Sequence, residues 1–241
     1  MKKIIVPLIL GLVAGAILGV QQVITLTPEM ESQVVAQLGS KQVVILIAMF
    51  QTAAMTSIAA IIGARVSPKV NLNKPFKCNK KSFLIAIAIG LVSACLIAIP
   101  EKLVFAKALG LENKFEFSWI YFLGSILYGG IIEEILLRFG LMSLIIWVAS
   151  KIKKSKDNNG IYIAGVVISA FLFAIGHLPA TATIFGLNTV SVTRTLLLNF
   201  FPGIGFGYLY WKHGLVYGML GHITTHVMNQ LILLPLLFNL F

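Results

Sequence analysis

Apolar residues run through this chain in long blocks, and the polar residues gather in the gaps between them. A helix needs about 20 apolar residues to cross the hydrocarbon of a bilayer. Seven blocks approach or exceed that measure: 4–26, 43–64, 82–100, 118–140, 161–178, 195–211 and 214–236. None alternates with period two as a membrane-barrel strand does, and backbone groups in lipid must find partners within their own segment, so all seven are expected to be helical. The predicted fold class is therefore all-α, a polytopic transmembrane helical bundle of about seven spans. Its connectors are too short to separate two folded units, which makes residues 1–241 one transmembrane domain.

The gaps carry their own signals. Thr27-Pro28-Glu29 reads as an N-cap followed by proline at the first helical position, opening a short interfacial helix that stops near Gly39. Residues 101–117 mix apolar and charged positions and are expected to lie along the outer surface. Gly203, Gly207, Gly218 and Gly221 offer small faces for close helix packing, and Pro202 can kink its helix. The start MKKIIVPLILGLVAGAILGV imitates a signal peptide, but its apolar run continues to about Leu26, longer than such a region needs, so it is read as an uncleaved first helix.

Composition agrees with the pattern. The chain of 241 residues is 58% hydrophobic and 11% charged, with a mean hydropathy of +0.94. These are the values of a membrane protein and lie well beyond those of a soluble domain. A formal net charge of +11 raises the question of nucleic acid, which would need basic residues collected on one folded face. Here they sit between the apolar blocks, so the charge reads as topology, with lipid as the surrounding partner and no nucleic acid.

With the N-terminus inside, thirteen Lys and Arg face inward: Lys2, Lys3, Arg65, Lys69, Lys74, Lys77, Lys80, Lys81, Lys151, Lys153, Lys154, Lys156 and Lys212. Five face outward, Lys41, Lys102, Lys107, Lys114 and Arg194, beside Glu29, Glu31, Glu101, Glu112 and Glu116. The positive-inside rule thus places the N-terminus in and the C-terminus out. Cys78 and Cys95 are too few for a disulfide framework.

One block breaks the apolar pattern. Tyr128 to Gly140, YGGIIEEILLRFG, holds two carboxylates and an arginine, and ionisable residues at membrane depth mark functional sites by default. Neighbours on an α-helix point about 100° apart, so Glu133 and Glu134 are expected to face different ways. Glu134 shares a face with Arg138, four residues on, and pairs with it at tolerable cost. Glu133 is left without a local counter-ion and is the candidate reactive carboxylate. His177, His222 and His226 fall within or at the ends of apolar blocks, with His222 and His226 one turn apart and Phe173 one turn before His177.

Other intramembrane hydrolytic chemistries fail for want of residues. Asp157 is the only aspartate, so no aspartyl pair exists. No HExxH or GxSxG motif occurs either. Carboxylate with imidazole acting on water remains.

Glu133-Glu134-x-x-x-Arg138, then Phe173-x-x-x-His177, then His222 with His226 one turn later, resemble the CAAX-protease and bacteriocin-processing (CPBP, or Abi) family of intramembrane endopeptidases. The run GLVYGMLGH into His222 is also similar. The resemblance spans about residues 118–230, which it marks as the catalytic core.

It implies hydrolysis of a peptide bond in a membrane-embedded or membrane-associated peptide or protein. Glu133 is then the general base, His177 its partner in activating water, and His222 with His226 the stabilisers of the oxyanion. Glu134, Arg138 and Phe173 support the site. His226 stands where Asn is usual, and Asn229 is one position out of phase for a swap. The expected setting is a bacterial cell membrane.

Glu133, His177, His222 and His226 would also make a zinc set of three nitrogens and one oxygen, so the expectation of no cofactor has metal-dependent hydrolysis as its alternative. Two readings from other classes use the same residues: a proton- or cation-coupled transporter, and a non-catalytic membrane scaffold. No inverted repeat of EExxxR supports the transporter.

Depth poses a last problem. At about 1.5 Å per residue, Glu133 stands about 27 Å from Lys151 and about 21 Å from Trp119, together more than the ~30 Å hydrocarbon layer. The fourth helix must tilt, break near Gly129-Gly130 or Gly140, or protrude.

Overall fold

Most of the described residues fall in eight helices. In the computed structural model, which describes residues 2–111, 115–155 and 158–239, they are α1 (Lys2–Ile24), α2 (Pro28–Leu38), α3 (Gln42–Val66), α4 (Lys80–Pro100), α5 (119–152), α6 (Asn159–Gly176), α7 (Thr189–His213) and α8 (Leu215–Met228). No strand occurs among the described residues. The charge and motif readings at Glu112, Lys114, Lys156 and Asp157, and those at the side chains of Lys2 and Lys3, lie outside the described residues.

Four helical segments are long and apolar enough to cross a membrane: Ile5–Ile24, Gln42–Val70, Lys80–Ala108 and Asn159–Phe185. They correspond to the first, second, third and fifth expected blocks. The blocks at 118–140, 195–211 and 214–236 are helical too, inside α5, α7 and the run that begins with α8, and they hold buried polar residues such as Glu134, Arg138, Thr195, His222 and Thr225. Large apolar side chains such as Phe50, Leu103 and Ile163 face outward, as they do where the solvent is lipid.

Local rules explain most boundaries. The Thr27 hydroxyl accepts from Met30 N–H with Pro28 following, and α2 ends at Gly39 in the left-handed region (φ 80°), as the sequence predicts. The segment 101–117 departs from expectation. Its first part continues α4 through Glu101–Phe105 and Ala106–Ala108, and Glu101 is buried, its Oε2 accepting from Arg194 Nε at 2.7 Å. A buried carboxylate holds its place only with such a partner, which ties the end of α4 to the start of α7.

The tightest pairing is α1 on α3. Gly11, Gly15 and Gly19 repeat every four residues, and a Cβ on any of them would stand 2.5–2.6 Å from the α3 backbone. This is the small-residue contact that packs helices where no hydrophobic force separates helix from lipid. The glycines expected to pack do so: Gly203 meets Ala170, Gly207 meets Val166, Gly218 meets Glu134 Oε2 and the Phe206 carbonyl, and Gly221 meets Leu209 and the Ala86 carbonyl.

Helix α5 does not break. Between Trp119–Gly124 and Ser143–Ile152 it bonds i→i+5 over Ser125–Met142. Such wide turns are rare and concentrate at functional sites. A wider helix also rises less per residue, which eases the length problem without a break at the glycines.

The bundle has two distinct ends. At one, Gln21 Nε2 donates to the Ile120 carbonyl, Glu101 meets Arg194, and Asn239 bonds the Phe115 backbone. At the other, Lys74 Nζ donates to the Trp211 and Lys212 carbonyls, Tyr217 bonds Lys77 and Asn79, and Tyr162 bonds the Val70 carbonyl. The second end carries the basic loops. Burial and the neighbouring Lys212 lower the pKa of Lys74 there.

Candidate active site

A cavity of about 530 Å³ opens at the first end and runs down between α1, α4, α5, α6, α7 and α8. Leu18, Gln21, Phe115 and Glu116 lie toward its mouth, and Glu133, His177, His222 and His226 line it. Side chains from three helices, far apart in sequence, therefore meet in one place. His177 Nε2 lies 3.6 Å from Glu133 Oε1, and His222 Nε2 lies 4.0 Å from Glu133 Oε2.

The two glutamates divide as their positions on the helix suggest. Glu133 borders the cavity with its side chain 12% exposed, whereas Glu134 is sealed behind it at 0%. Glu134 Oε2 is 3.5 Å from Arg138 Nε, and Arg138 is fixed further by Nη2 donating to the Gly203 carbonyl at 3.1 Å and by the faces of Phe173 and Phe206. Aromatic faces and one carbonyl let a guanidinium sit in an apolar core that would otherwise reject it.

Glu134 also does something the i,i+4 spacing does not reveal. His222 Nδ1 lies 3.0 Å from its Oε1. A carboxylate oxygen accepts, so Nδ1 carries the proton, and Nε2 of a neutral His222 presents a lone pair to the cavity. His177 is set in the same way: its Nδ1 donates to the Phe173 carbonyl at 2.9 Å. Phe173 thus orients His177 through its backbone while its ring packs edge-on against it at 4.7 Å. Both imidazoles aim an acceptor toward Glu133.

His226 differs. Its ring stacks on His222, centroids 4.9 Å apart, and its buried Nε2 finds no hydrogen-bond partner among the described residues. The ring has room because residue 129 is glycine: a Cβ there would stand 2.6 Å from His226 Nε2. Asn229 is buried with Oδ1 unpartnered and does not line the cavity.

Three polar residues escaped sequence reasoning. Tyr128 lines the cavity within electrostatic reach of Glu133. In a helix bonded i→i+5, residues five apart stack, which brings Tyr128 over Glu133; an α-helical projection separates them. Gln230 lines the cavity and donates to Ser125 Oγ at 2.6 Å. Asn199 lines it and donates to the Thr195 carbonyl. The signal for all three is a polar side chain inside an apolar block.

Among the described residues no group of three or more His, Cys, Asp and Glu side chains is placed to hold an ion. The spacings of 3.6 and 4.0 Å leave room for a bridging water.

Comparison with known proteins bears on this geometry. Residues 115–228 match the family described as Type II CAAX prenyl endopeptidase Rce1-like. That stretch is similar to a CAAX-protease domain. Just under half of the chain lies in the match, which takes in Tyr128, both glutamates, Arg138, Phe173 and all three cavity histidines. The match supports the chemistry of a CAAX-type intramembrane protease. No curated protein and no solved structure gives a significant match.

Proposed function

We propose that the chain is an intramembrane endopeptidase that uses Glu133 and histidine, without a metal ion, to hydrolyse a peptide bond in a membrane-associated peptide or protein. The observation that carries this reading is the convergence of the Glu133 carboxylate with two imidazoles whose Nδ1 atoms are already committed as donors. A water between them donates one hydrogen to Glu133 and the other to a histidine Nε2, which aims its oxygen lone pair at a substrate carbonyl. Attack forms the C–O bond and moves the carbonyl pair onto oxygen, while Glu133 takes the proton. Collapse breaks the C–N bond, and the proton on Glu133 passes to the leaving amine.

Of the two residues that the family resemblance implies for the oxyanion, His226 keeps that role and His222 does not. A neutral His222 has no proton on Nε2 to give, because Glu134 holds its tautomer. His226 Nε2 is unpartnered among the described residues and Tyr128 lines the cavity; the His226 ring and the Tyr128 hydroxyl are the donors we assign to the oxyanion. Glu134, Arg138 and Phe173 position His222 and His177, and of these three only Phe173 also lines the cavity.

The cavity opens at the end opposite the basic loops. With seven spans, the N-terminus inside and the C-terminus outside, substrate enters from the outer face. The test is cleavage by the full chain in lipid vesicles of a peptide panel that includes a farnesylated CAAX peptide and unprenylated apolar peptides, in water enriched in oxygen-18. Hydrolysis places one heavy oxygen in the new C-terminal carboxyl. Glu133-dependent proton flux across the vesicles with no peptide cut would replace this reading with that of a transporter.

A further inference from the structure

A second cavity, of about 320 Å³, lies at the opposite end of the bundle and plays no part in the site above. Lys69, Val70, Trp147, Ser150, Lys151 and Lys154 line it. Lys69 comes from the turn Ser67–Val70 that follows α3, and the others, Val70 apart, from the last turns of α5 and the residues after it. Among the described residues no carboxylate lines it.

Two observations separate it from an ordinary basic surface. The Trp147 Nε1 and Ser150 Oγ atoms are buried and have no hydrogen-bond partner among the described residues, and Ser150 is only 7% exposed. Burying a donor without an acceptor is costly, and indole N–H can only donate, so what completes this pocket must accept. Three ammonium groups around the same space require it to be negative as well. A cation satisfies neither condition, and a neutral carbonyl satisfies only the first.

The walls are built to hold that arrangement. Lys69 Nζ sits over the Trp147 ring at 5.3 Å, and the Val70 carbonyl is pinned by Tyr162 Oη at 2.8 Å. Lys154 adopts the left-handed region (φ 51°), uncommon for a residue with a side chain, and Ser155 N–H closes back on the Ser150 carbonyl. The chain thereby folds over the end of α5 and keeps Lys151 and Lys154 at one cavity.

We infer that Lys69, Trp147, Ser150, Lys151 and Lys154 form a binding site for the phosphate of an anionic lipid headgroup. Basic pockets between membrane helices on the positively charged face bind such headgroups, and phosphate oxygens accept from ammonium, indole and hydroxyl donors together. The site stands apart from the protease reading. It grips the last turn of the helix whose middle carries Glu133.

Native mass spectrometry of the full chain, released from vesicles of equal phosphatidylglycerol and phosphatidylcholine, tests it. The wild type is expected to retain phosphatidylglycerol about tenfold over phosphatidylcholine. Lys69→Gln/Lys151→Gln/Lys154→Gln removes three exposed charges and should abolish that preference. Lys77→Gln/Lys80→Gln/Lys81→Gln, the same charge loss at the same end, should leave it unchanged. Ser150→Ala and Trp147→Phe keep the charge and should each lower retention about three- to tenfold.

Equal loss in the two triple variants would reduce the effect to diffuse attraction and overturn the site. So would equal retention of both lipids by the wild type. Displacement of the lipid by millimolar inorganic phosphate would assign the pocket to a free anion and overturn the headgroup.

Discussion

Gly129 is a position where the site has little room for even the smallest enlargement. Alanine there places a Cβ 2.6 Å from His226 Nε2 and 3.3 Å from its Cδ2, the first about 0.8 Å short of the 3.4 Å at which ordinary contact begins. His226 has little freedom to retreat, since its ring stacks on His222 one turn away and His222 is bonded to Glu134. The imidazole must therefore move by most of an ångström, and a misplacement of about 1 Å costs roughly 10²-fold in rate. Overpacking of this kind costs about 1–3 kcal/mol of stability, which leaves the protein folded.

The expected result for Gly129→Ala, in the vesicle cleavage assay with folding followed by thermal unfolding, is a kcat lower by about 10²-fold and a Tm lowered by a few degrees. Gly176→Ala is the control: it adjoins His177, yet nothing lies within 4 Å of its Cβ position, and its rate should stay within about twofold of wild type. Shortening the obstructed side chain in Gly129→Ala/His226→Asn should recover about tenfold of the loss by restoring a donor that fits. Wild-type activity in folded Gly129→Ala would refute the placement of His226 in the reaction, and so would a double variant slower than the single.

Three further outcomes follow from the same geometry. Glu134→Gln leaves the Arg138 guanidinium buried without its carboxylate and should lower unfolding stability by about 3 kcal/mol, read by thermal or denaturant unfolding; an unchanged midpoint would contradict the pairing. Tyr128→Phe removes one oxyanion donor and should reduce kcat about 10²-fold with KM nearly constant, whereas a change confined to KM would make Tyr128 a substrate contact only. Prolonged treatment with a strong chelator should leave cleavage intact; loss restored by zinc would reverse the metal-free assignment.

Much of this architecture is legible in the chain because lipid imposes few solutions. Apolar blocks of spanning length had to be helices, and charge within the fourth block had to be paired or functional, so Glu133, Glu134 and Arg138 declared themselves. The histidines followed from their places in apolar runs. Local hydrogen bonding was not legible. Nothing in SILYGGIIEEILLRFGLM marks i→i+5 turns, and without them Tyr128 projects away from Glu133. The bond from Glu134 to His222, between residues 88 apart, and the dependence of His226 on the absent side chain at 129 are tertiary facts. Residues 101–108 misled because their charges suggested a surface, when Glu101 has a buried partner in Arg194.

The central claim is that Glu133 takes the proton from the attacking water. Glu133→Gln keeps the side chain's shape and removes the base, and it is assayed by cleavage of the peptide panel in vesicles alongside its unfolding temperature. The account predicts a folded protein whose cleavage rate is lower by at least about 10³-fold; a folded Glu133→Gln variant that cuts at the wild-type rate would contradict it.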